Sequence, residues 1–423
     1  MSDLLQRASA VLSPVIGHYT SLEVKSGSGC YLYGLDDTAY LDLAAGIAVT
    51  ATGHCHPKVV EAIQTQAATL IHASIGIVYY EPPIRLAEKL GELLGADLTS
   101  VFFCQSGTEA IEASMKLAKY VTKKSKLLVF SGGFHGRTLG ALSLTTSKEK
   151  YRENYEPLIP GIKVLPYPNL YRHSSADSAT AERQYIADLE AYFSTLDDDI
   201  AAVVIEPMLG EGGYVSAPAA FLQKLESLCR QKNILVILDE IQTGFGRTGH
   251  WFMFQEAGLK PDIIALAKGI ASGMPLGACV ARKALMEQWT TGSHGGTYGS
   301  NPVTCAAALA SIDVVGDCLP GISELGEYAL TFLKAALKDH PYVGDIRGKG
   351  LMIGIELVSD RITKEPHTAL LKTVLSEALA RQVIVISCGV FDNVIRIMPP
   401  LIITKPELTD GLTVITEVLN AHC

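Results

Sequence analysis

The sequence predicts an α/β protein in which a large domain, built on a mostly parallel sheet between helices, is joined to a small α+β domain. Two apolar runs at residues 234–238 and 263–267 are almost uninterrupted, as in strands that are buried on both faces. Strand and helix patterns alternate from residue 100 to residue 281 with short links, which is typical of a parallel sheet covered by helices. From about Gly316 this alternation of strand and helix patterns ends, which indicates a second domain.

The N-terminal segment, residues 1–52, is expected to belong to the small domain. It begins with a short helical pattern at residues 4–12. Two strand patterns, at residues 30–33 and 39–43, flank a turn rich in Gly and Asp and predict a hairpin. After a glycine-rich loop, apolar spacing predicts helices at residues 57–71 and 82–94.

The large domain is assigned to residues 53–315. Its predicted strands cover residues 100–104, 127–130, 201–205, 234–238, 263–267 and 277–281, and its predicted helices cover residues 108–118 and 219–231. The polar residues 166–182 are interpreted as an irregular surface insertion.

Residues 316–423 are assigned to the small domain, which we expect to include the N-terminal hairpin. The predicted helices cover residues 322–339 and 367–381, and the predicted strands cover residues 352–358, 383–387 and 394–398.

The composition indicates a globular, cytoplasmic protein. With 48% hydrophobic and 19% charged residues, the 423-residue chain can form a large core. The net charge is −9 and no basic block occurs, so nucleic-acid binding has little support. Nine cysteines are scattered without a CxxC pair, so we expect reduced, mostly buried thiols. We expect neither a secretory signal nor a membrane span, because the first residues lack the signal pattern and the apolar runs are short.

Asp239 follows the first of the two apolar runs, and Lys268 follows the second. Open α/β sheets place ligand chemistry at the carboxyl ends of their strands. An acid and an amine there fit a pyridoxal phosphate (PLP) site, where a lysine forms a Schiff base and an aspartate pairs with the pyridinium nitrogen. A lone lysine is more often solvated, and an acid after a strand also occurs in nucleotide hydrolases. The sequence contains neither GxxxxGK[ST] nor an early GxGxxG, which disfavours nucleotide and dinucleotide binding.

Ser106, Gly107 and Thr108 lie between a predicted strand and a predicted helix. Free N–H groups and the helix dipole favour a phosphate at that position. The same residues also fit an ordinary N-cap with Glu109 as its capping partner, and taken alone the cap is the better interpretation. Because Asp239 and Lys268 are expected nearby, phosphate binding becomes the preferred interpretation.

Other side chains at strand ends have both a functional and a structural interpretation. Phe134 can stack on a planar ring and Arg137 can bind a carboxylate, although an isolated arginine is more often solvated. Arg396 lies inside an apolar strand and needs a partner. Glu211 can be that partner, in a structural ion pair or in a gate. The His-x-His pattern at residues 54–56 lacks a third ligand at a suitable spacing, so no metal is expected.

The residues 239–249 (DEIQTGFGRTG), together with Lys268 directly after Ala267, form a highly specific motif. From about Tyr31 to Leu401 the chain resembles the class III (subgroup II) aminotransferases among the fold-type I PLP-dependent enzymes. This resemblance implies that Lys268 binds PLP covalently and later moves a proton between substrate and cofactor. Asp239 would keep the ring nitrogen protonated. The other cofactor-binding residues that the resemblance implies are Ser106, Gly107 and Thr108 at the phosphate, Phe134 on the ring face, His135, Gln242 at the phenolic oxygen, and Thr297 from a partner subunit.

The substrate is suggested by a finer similarity within that family. Likeness to 4-aminobutyrate aminotransferases is seen at residues 45–49, 80–82, 135–138 and 387–396. It implies that Arg137 binds the distal carboxylate of an ω-amino acid and that Ile47 walls the substrate channel. Arg396 would bind the α-carboxylate of 2-oxoglutarate, and Glu211 would cover Arg396 while the donor is bound. The expected reaction moves the amino group of 4-aminobutyrate to 2-oxoglutarate, giving the semialdehyde and glutamate.

The resemblance also implies a homodimer with shared sites, or a tetramer, and it leaves alternatives open. Residues 166–172 and 356–361 look like the racemase and epimerase branch, whose members typically lack an arginine at the Arg137 position. The segments at residues 53–57 and 135–137 also occur in N-acetylornithine aminotransferases. A non-catalytic relative is disfavoured because the acid, glutamine and lysine of the cofactor site are all present.

Overall fold

The computed structural model describes residues 3–95, 97–175 and 177–423. The strands are β1 (Val24–Ser28), β2 (Tyr31–Gly34), β3 (Ala39–Asp42), β4 (Ser100–Cys104), β5 (Lys126–Phe130), β6 (Ile162–Leu165), β7 (Ile200–Ile205), β8 (Leu235–Asp239), β9 (Ile263–Leu266), β10 (Gly277–Ala281), β11 (Val343–Lys349), β12 (Met352–Leu357), β13 (Val383–Ile384), β14 (Ile386–Cys388) and β15 (Val394–Ile397).

The helices are α1 (Asp3–Val11), α2 (Ala45–Ala48), α3 (Pro57–Thr69), α4 (Glu81–Leu94), α5 (Gly107–Thr122), α6 (Leu139–Leu144), α7 (Ser178–Ser194), α8 (Ala219–Gln231), α9 (Met253–Glu256), α10 (Lys283–Met286), α11 (Pro302–Ala336), α12 (Thr368–Ala380) and α13 (Lys405–Asn420). Two short 3-10 helices cover Glu149–Tyr151 and Lys268–Ile270.

The central sheet has seven strands in the order β4-β10-β9-β8-β7-β5-β6. The strands from β9 to β6 are parallel, and β10 runs antiparallel to both of its neighbours. Alternate residues of β5 enter two different cores, one shared with α4, α7 and α8 and the other shared with α5. Helices therefore cover both faces, and the predicted α/β fold with a mostly parallel sheet is confirmed.

Two further sheets have four strands each. Their strands come before and after those of the central sheet in the sequence, and their strand orders are β1-β2-β3-β13 and β11-β12-β15-β14. The predicted N-terminal hairpin forms as β2 and β3, and β3 pairs in parallel with β13 from the other end of the chain. The two ends of the chain thus share one sheet and one apolar core. The boundaries predicted at residues 52/53 and 315/316 stay predictions.

Helix α11 joins the two largest cores of the molecule. Its first half contributes Cys305 and Ile312 to the core beneath the central sheet, and its second half contributes Ala329 and Leu333 to the core of the terminal sheets. This helix is long and apolar enough to cross a membrane, although the sequence contains no uninterrupted apolar run of that length. Its buried residues instead pack inside the two cores.

Several predicted elements differ from the structure. The helix predicted at residues 322–339 is α11, which begins 20 residues earlier at Pro302 and ends at Ala336. Pro320 lies within it, and a proline with nearby glycines disfavours a helix locally, so packing on both sides overrides the local preference. The strand predicted at residues 383–387 is divided between two sheets as β13 and β14.

The polar segment at residues 166–182 is irregular in its described residues up to Asp177, as predicted, but its last five residues are helical and it does not lie wholly at the surface. Tyr167 is buried, and its hydroxyl donates to the carbonyl oxygens of Glu206 and Pro207, each at 3.0 Å. The segment then leads into α7, where Asp177 caps the first turn by accepting from the N–H of Thr180 at 2.9 Å. The first turn of α7 is exposed, which explains why the end of the segment is also polar.

Candidate active site

The loops that follow β4, β5, β7, β8 and β9 meet at one edge of the central sheet and line a cavity of about 400 Å³. Asp239 ends β8, and Lys268 lies two residues beyond β9, so the adjacent parallel strands deliver both side chains to this cavity. The chain turns sharply at Lys268, which has a φ of 48°. Burial lowers the pKa of the Lys268 amine to about 8.

The Asp239 carboxylate is held in one orientation by its neighbours. Its Oδ2 lies 2.8 Å from Nδ1 of the buried His135, and its Oδ1 accepts from the N–H of Ile241 at 3.1 Å. Burial opposes a charged imidazole, but the hydrogen bond and the charge of Asp239 raise the pKa of His135. His135 therefore both lines the cavity and orients Asp239, and its predicted role in binding the cofactor stays a prediction.

A second buried carboxyl group, Glu206, was given no role by the sequence. Its two oxygens accept from the N–H groups of Phe134 and Gly210, each at 2.7 Å. Burial and the charge of Asp239 raise the pKa of Glu206 to about 7. Glu206 thereby links the loop that carries Phe134 to the loop that carries Glu211. The available signal was an acid followed by proline at the end of an apolar strand.

The N-terminus of α5 opens into the cavity. Ser106 is the N-cap, and its Oγ accepts from the N–H of Glu109 at 3.3 Å, so the ordinary cap foreseen for these residues is present. Ser106, Gly107 and Thr108 also line the cavity. A side chain at position 107 would meet Ile241 at 2.9 Å, which explains a glycine there. The cap is therefore compatible with a helix end that faces the cavity, where the dipole favours an anion.

The predicted carboxylate ligand Arg137 is exposed at the mouth of the cavity. Its guanidinium carbon lies 4.4 Å from the ring centroid of Tyr151 and 5.6 Å from that of Phe134. Among the described residues no carboxylate forms an ion pair with it. Aromatic rings therefore position the guanidinium and leave its N–H donors available.

Arg396 and Glu211 form the buried ion pair that the sequence allowed. Arg396 is 1% exposed, its Nη2 donates to Glu211 Oε2, and its Nε donates to the carbonyl of Ser387 at 2.7 Å. Glu211, rather than Arg396, lines the cavity. The carboxylate therefore covers the arginine from the substrate side.

Besides Arg396, two predicted site residues do not line the cavity within a single chain. Thr297 is exposed in a loop outside the cavity, and Ile47, with a φ of 66°, is 40% exposed. From the same N-terminal segment, Val49 reaches the cavity instead. The roles predicted for Thr297 and Ile47 stay predictions.

Three residues near Glu211 were missed by the sequence analysis. Lys148 and Tyr151, from the 3-10 helix region after α6, contact the Glu211 carboxylate directly. Tyr19, from the N-terminal segment, lies close enough for Arg396 and Glu211 to act on its pKa, which burial raises. No local pattern marks these residues, because only the tertiary fold brings them together.

The family model described as aminotransferase class-III matches residues 14–419 of this sequence. The chain belongs to the class-III aminotransferase family. It is 40% identical over 93% of its length to the acetylornithine aminotransferase of Methanopyrus kandleri, of which 93% is covered. It is 36% identical over 99% of its length both to an alanine/serine racemase of Pyrococcus horikoshii, 90% covered, and to the 4-aminobutyrate aminotransferase of Escherichia coli, 98% covered.

Solved structures agree with this assignment. An amine transaminase from an uncultivated Pseudomonas species, in a PLP-bound form, superposes with a TM-score of 0.90 and 29% identity, with 98% of both chains covered. This class-III aminotransferase therefore has the fold-type I architecture and uses PLP.

The cavity residues fit PLP. Lys268 offers a buried amine of lowered pKa for the aldehyde, Asp239 offers a fixed carboxylate for the ring nitrogen, and the α5 N-terminus offers donors for the phosphate. Gln242 lines the same cavity, and its buried Oε1 has no hydrogen-bond partner among the described residues. A buried amide oxygen without a partner is costly, so a bound group that satisfies it is expected.

Proposed function

We propose that this class-III aminotransferase transfers the amino group of an ω-amino acid, with 4-aminobutyrate as the preferred donor, to 2-oxoglutarate. The observation that carries the proposal is the unequal state of two arginines. Arg137 is open at the cavity mouth, whereas Arg396 is covered by Glu211. A donor with one carboxylate needs only the open arginine, and an acceptor with two carboxylates needs both.

The residues of the chain divide the chemistry among themselves. Bound PLP supplies a protonated ring that takes up the electron pair left when the donor carbon loses its proton. Lys268 Nζ would remove that proton and deliver it to the former aldehyde carbon of the cofactor, a task that suits an amine with a pKa of about 8. Asp239 holds the proton on the ring nitrogen, and His135 fixes the orientation of its carboxylate at 2.8 Å.

Glu211 sets which substrates are accepted. While it covers Arg396, the guanidinium charge is neutralised and an ω-amino acid does not meet an unpaired buried cation. When a dicarboxylate binds, its α-carboxylate replaces Glu211 on Arg396 and its distal carboxylate binds Arg137. One cavity can therefore serve both halves of the reaction.

A second candidate donor is N-acetylornithine, because the relative from Methanopyrus kandleri at 40% identity is an acetylornithine aminotransferase. Racemisation is the third candidate, supported by the relative from Pyrococcus horikoshii. A racemase has no need of an open arginine placed to bind a distal carboxylate, so Arg137 favours transamination.

We also propose that the protein acts in the cytoplasm as a homodimer, in which Thr297 reaches the cavity of the partner subunit. The exposure of Thr297 outside its own cavity supports a role in trans. All nine cysteines are free, and six of them are buried, as expected for a reducing compartment.

The proposed function is tested by a panel of donors with 2-oxoglutarate and with pyruvate. The donors are 4-aminobutyrate, 5-aminovalerate, β-alanine, N-acetylornithine, ornithine and a simple amine without a carboxylate. We expect the highest kcat/KM for 4-aminobutyrate with 2-oxoglutarate. A clear preference for N-acetylornithine would overturn the choice of donor, and loss of optical activity in one amino acid without any acceptor would overturn transamination.

Arg137→Ala tests the carboxylate assignment within the same panel. We expect kcat/KM for 4-aminobutyrate to fall about 100-fold, because a charge-assisted contact is lost, while the simple amine is unaffected. Arg152→Ala is the matched control, since Arg152 lies in the same connection between β5 and β6 but pairs with Glu156 at 3.8 Å. Equal losses for 4-aminobutyrate and the simple amine would contradict the assigned role.

A further inference from the structure

The Glu211 carboxylate has separate partners on its two oxygens. Oε2 accepts from Arg396. Oε1 accepts from Lys148 Nζ at 2.8 Å and from the Tyr151 hydroxyl at 2.9 Å. Losing the contact on Oε2 therefore leaves the contacts on Oε1 intact.

Lys148 is nearly as enclosed as the carboxylate that it contacts. Its side chain is 7% exposed and that of Glu211 is 11% exposed. The other partner of Lys148 is Asp392, which is 45% exposed and lies in the turn between β14 and β15. The lysine thus stands between the substrate-facing carboxylate and a solvated one.

We infer that Lys148 is a positioning residue that retains Glu211 when Arg396 binds the α-carboxylate of a dicarboxylic substrate. This inference rests on the proposed function, because it concerns the acceptor half of that reaction. Lys148 makes the two states of Glu211 closer in free energy: in one state the carboxylate has two cationic partners, and in the other it still has one.

The physical reason is the cost of an unpaired charge in a poorly solvated place. Without Lys148, a Glu211 carboxylate released from Arg396 would keep only the Tyr151 hydroxyl as a partner. Dicarboxylate binding would then carry an additional cost. Monocarboxylate binding leaves the Arg396–Glu211 pair in place, so it would not carry that cost.

Lys148→Met tests the inference in the PLP-loaded enzyme through binding of two unreactive acids, measured by isothermal titration calorimetry. Glutarate stands for the dicarboxylate and butyrate for the monocarboxylate. We expect the Kd of glutarate to rise about tenfold and the Kd of butyrate to change less than about twofold. Lys148→Arg keeps the charge and should restore glutarate binding to near the wild-type value.

Lys150→Met is the matched control. Lys150 lies two residues further along, is 60% exposed and reaches Asp392 at 3.6 Å, and among the described residues it forms no ion pair with Glu211. It removes the same charge and should leave both Kd values within about twofold of wild type. Asp392→Asn changes a half-exposed residue and is expected to change the Kd of glutarate in the opposite direction to Lys148→Met. It frees Lys148 for Glu211, so glutarate should bind more tightly relative to butyrate.

Four results would overturn the inference: an equal weakening of both acids in Lys148→Met, unchanged glutarate binding in that variant, the same effect in Lys150→Met, or a wild type that does not bind glutarate. Should Lys148→Met fail to fold, the Asp392→Asn comparison decides by its sign. Failure of the proposed function is seen separately, as a wild type that binds glutarate but does not use 4-aminobutyrate in the donor panel.

Discussion

At the scale of single residues, the site depends on Lys268, which the fold holds in an unfavourable state. Its backbone lies in the left-handed region, with a φ of 48°, where residues other than glycine are strained. Its amine is buried, and burial disfavours the charged form. The backbone conformation thus places the amine beyond the end of β9, next to the carboxylate of Asp239 at the end of β8, and burial increases the fraction of the amine that is neutral.

The pH dependence of cofactor uptake by the apoprotein follows from this burial. Only the neutral amine attacks an aldehyde, and the pKa of Lys268 is lowered to about 8, so half of the amine is neutral at that pH. The rate of PLP attachment, followed by stopped-flow absorbance, is expected to rise with pH and to level off above about pH 9. A free lysine analogue should instead titrate near 10.4. A rate for the protein that keeps climbing to that pH would contradict the lowered pKa.

At the scale of elements, the loops after β4, β5, β7, β8 and β9 each carry one part of the site. The loop after β5 is the most tightly constrained, because it must present Phe134, His135 and Arg137 within four residues. Gly136 makes this possible with a φ of 130° and a close approach to Thr108 in the first turn of α5. The predicted phosphate-binding residue Thr108 and the loop that carries the predicted carboxylate ligand Arg137 therefore meet at one glycine.

Gly136→Ala is expected to disturb both parts. The added Cβ would overlap Thr108 Oγ1 and lie 2.7 Å from Thr108 Cβ, so the loop and the helix start must separate. We expect PLP affinity to fall at least about tenfold, with a loss of unfolding free energy of about 1–3 kcal/mol. Titration of the apoprotein with PLP and urea unfolding measure the two effects.

Gly258→Ala is the control for that prediction. Gly258 also has a positive φ, of 65°, but a Cβ there meets nothing within 4 Å. It should cost only the conformational penalty of about 1–2 kcal/mol and leave PLP affinity unchanged. A similar loss of PLP affinity in both variants would mean that backbone strain, not the clash with Thr108, disturbs the site.

At the scale of the whole molecule, α11 joins the core of the central sheet to the core formed by the terminal sheets. Gly326 lies where this helix crosses the turn between β11 and β12, against the backbone of Gly350. Arg396 comes from β15 on the terminal side, and Glu211 comes from the loop after β7 of the central sheet. Helix α11 thereby connects the core that contains β15 to the core that contains β7.

Two glycines of the same helix test this packing. In Gly326→Ala the new Cβ would lie 2.6 Å from the carbonyl carbon of Gly350, and we expect a loss of about 1–3 kcal/mol in unfolding free energy. In Gly321→Ala nothing lies within 4 Å, so the better helix propensity of alanine should stabilise the protein by up to about 1 kcal/mol. Urea unfolding of both variants gives the comparison, and equal stabilisation would show that the crossing is not tight.

Local patterns in the amino-acid sequence were enough to predict the central strands and the cofactor. Uninterrupted apolar runs predicted strands buried on both faces, and the motif at residues 239–249 with Lys268 predicted the cofactor chemistry, because residues at strand ends share one edge of a parallel sheet. Other features depend on packing between segments that lie far apart in the chain. They are helix α7, the full length of α11, and the positions of Lys148, Tyr151 and Glu206. The partner of a charged residue cannot be read from the sequence, because burial and distance, not residue type, set the strength of an ion pair.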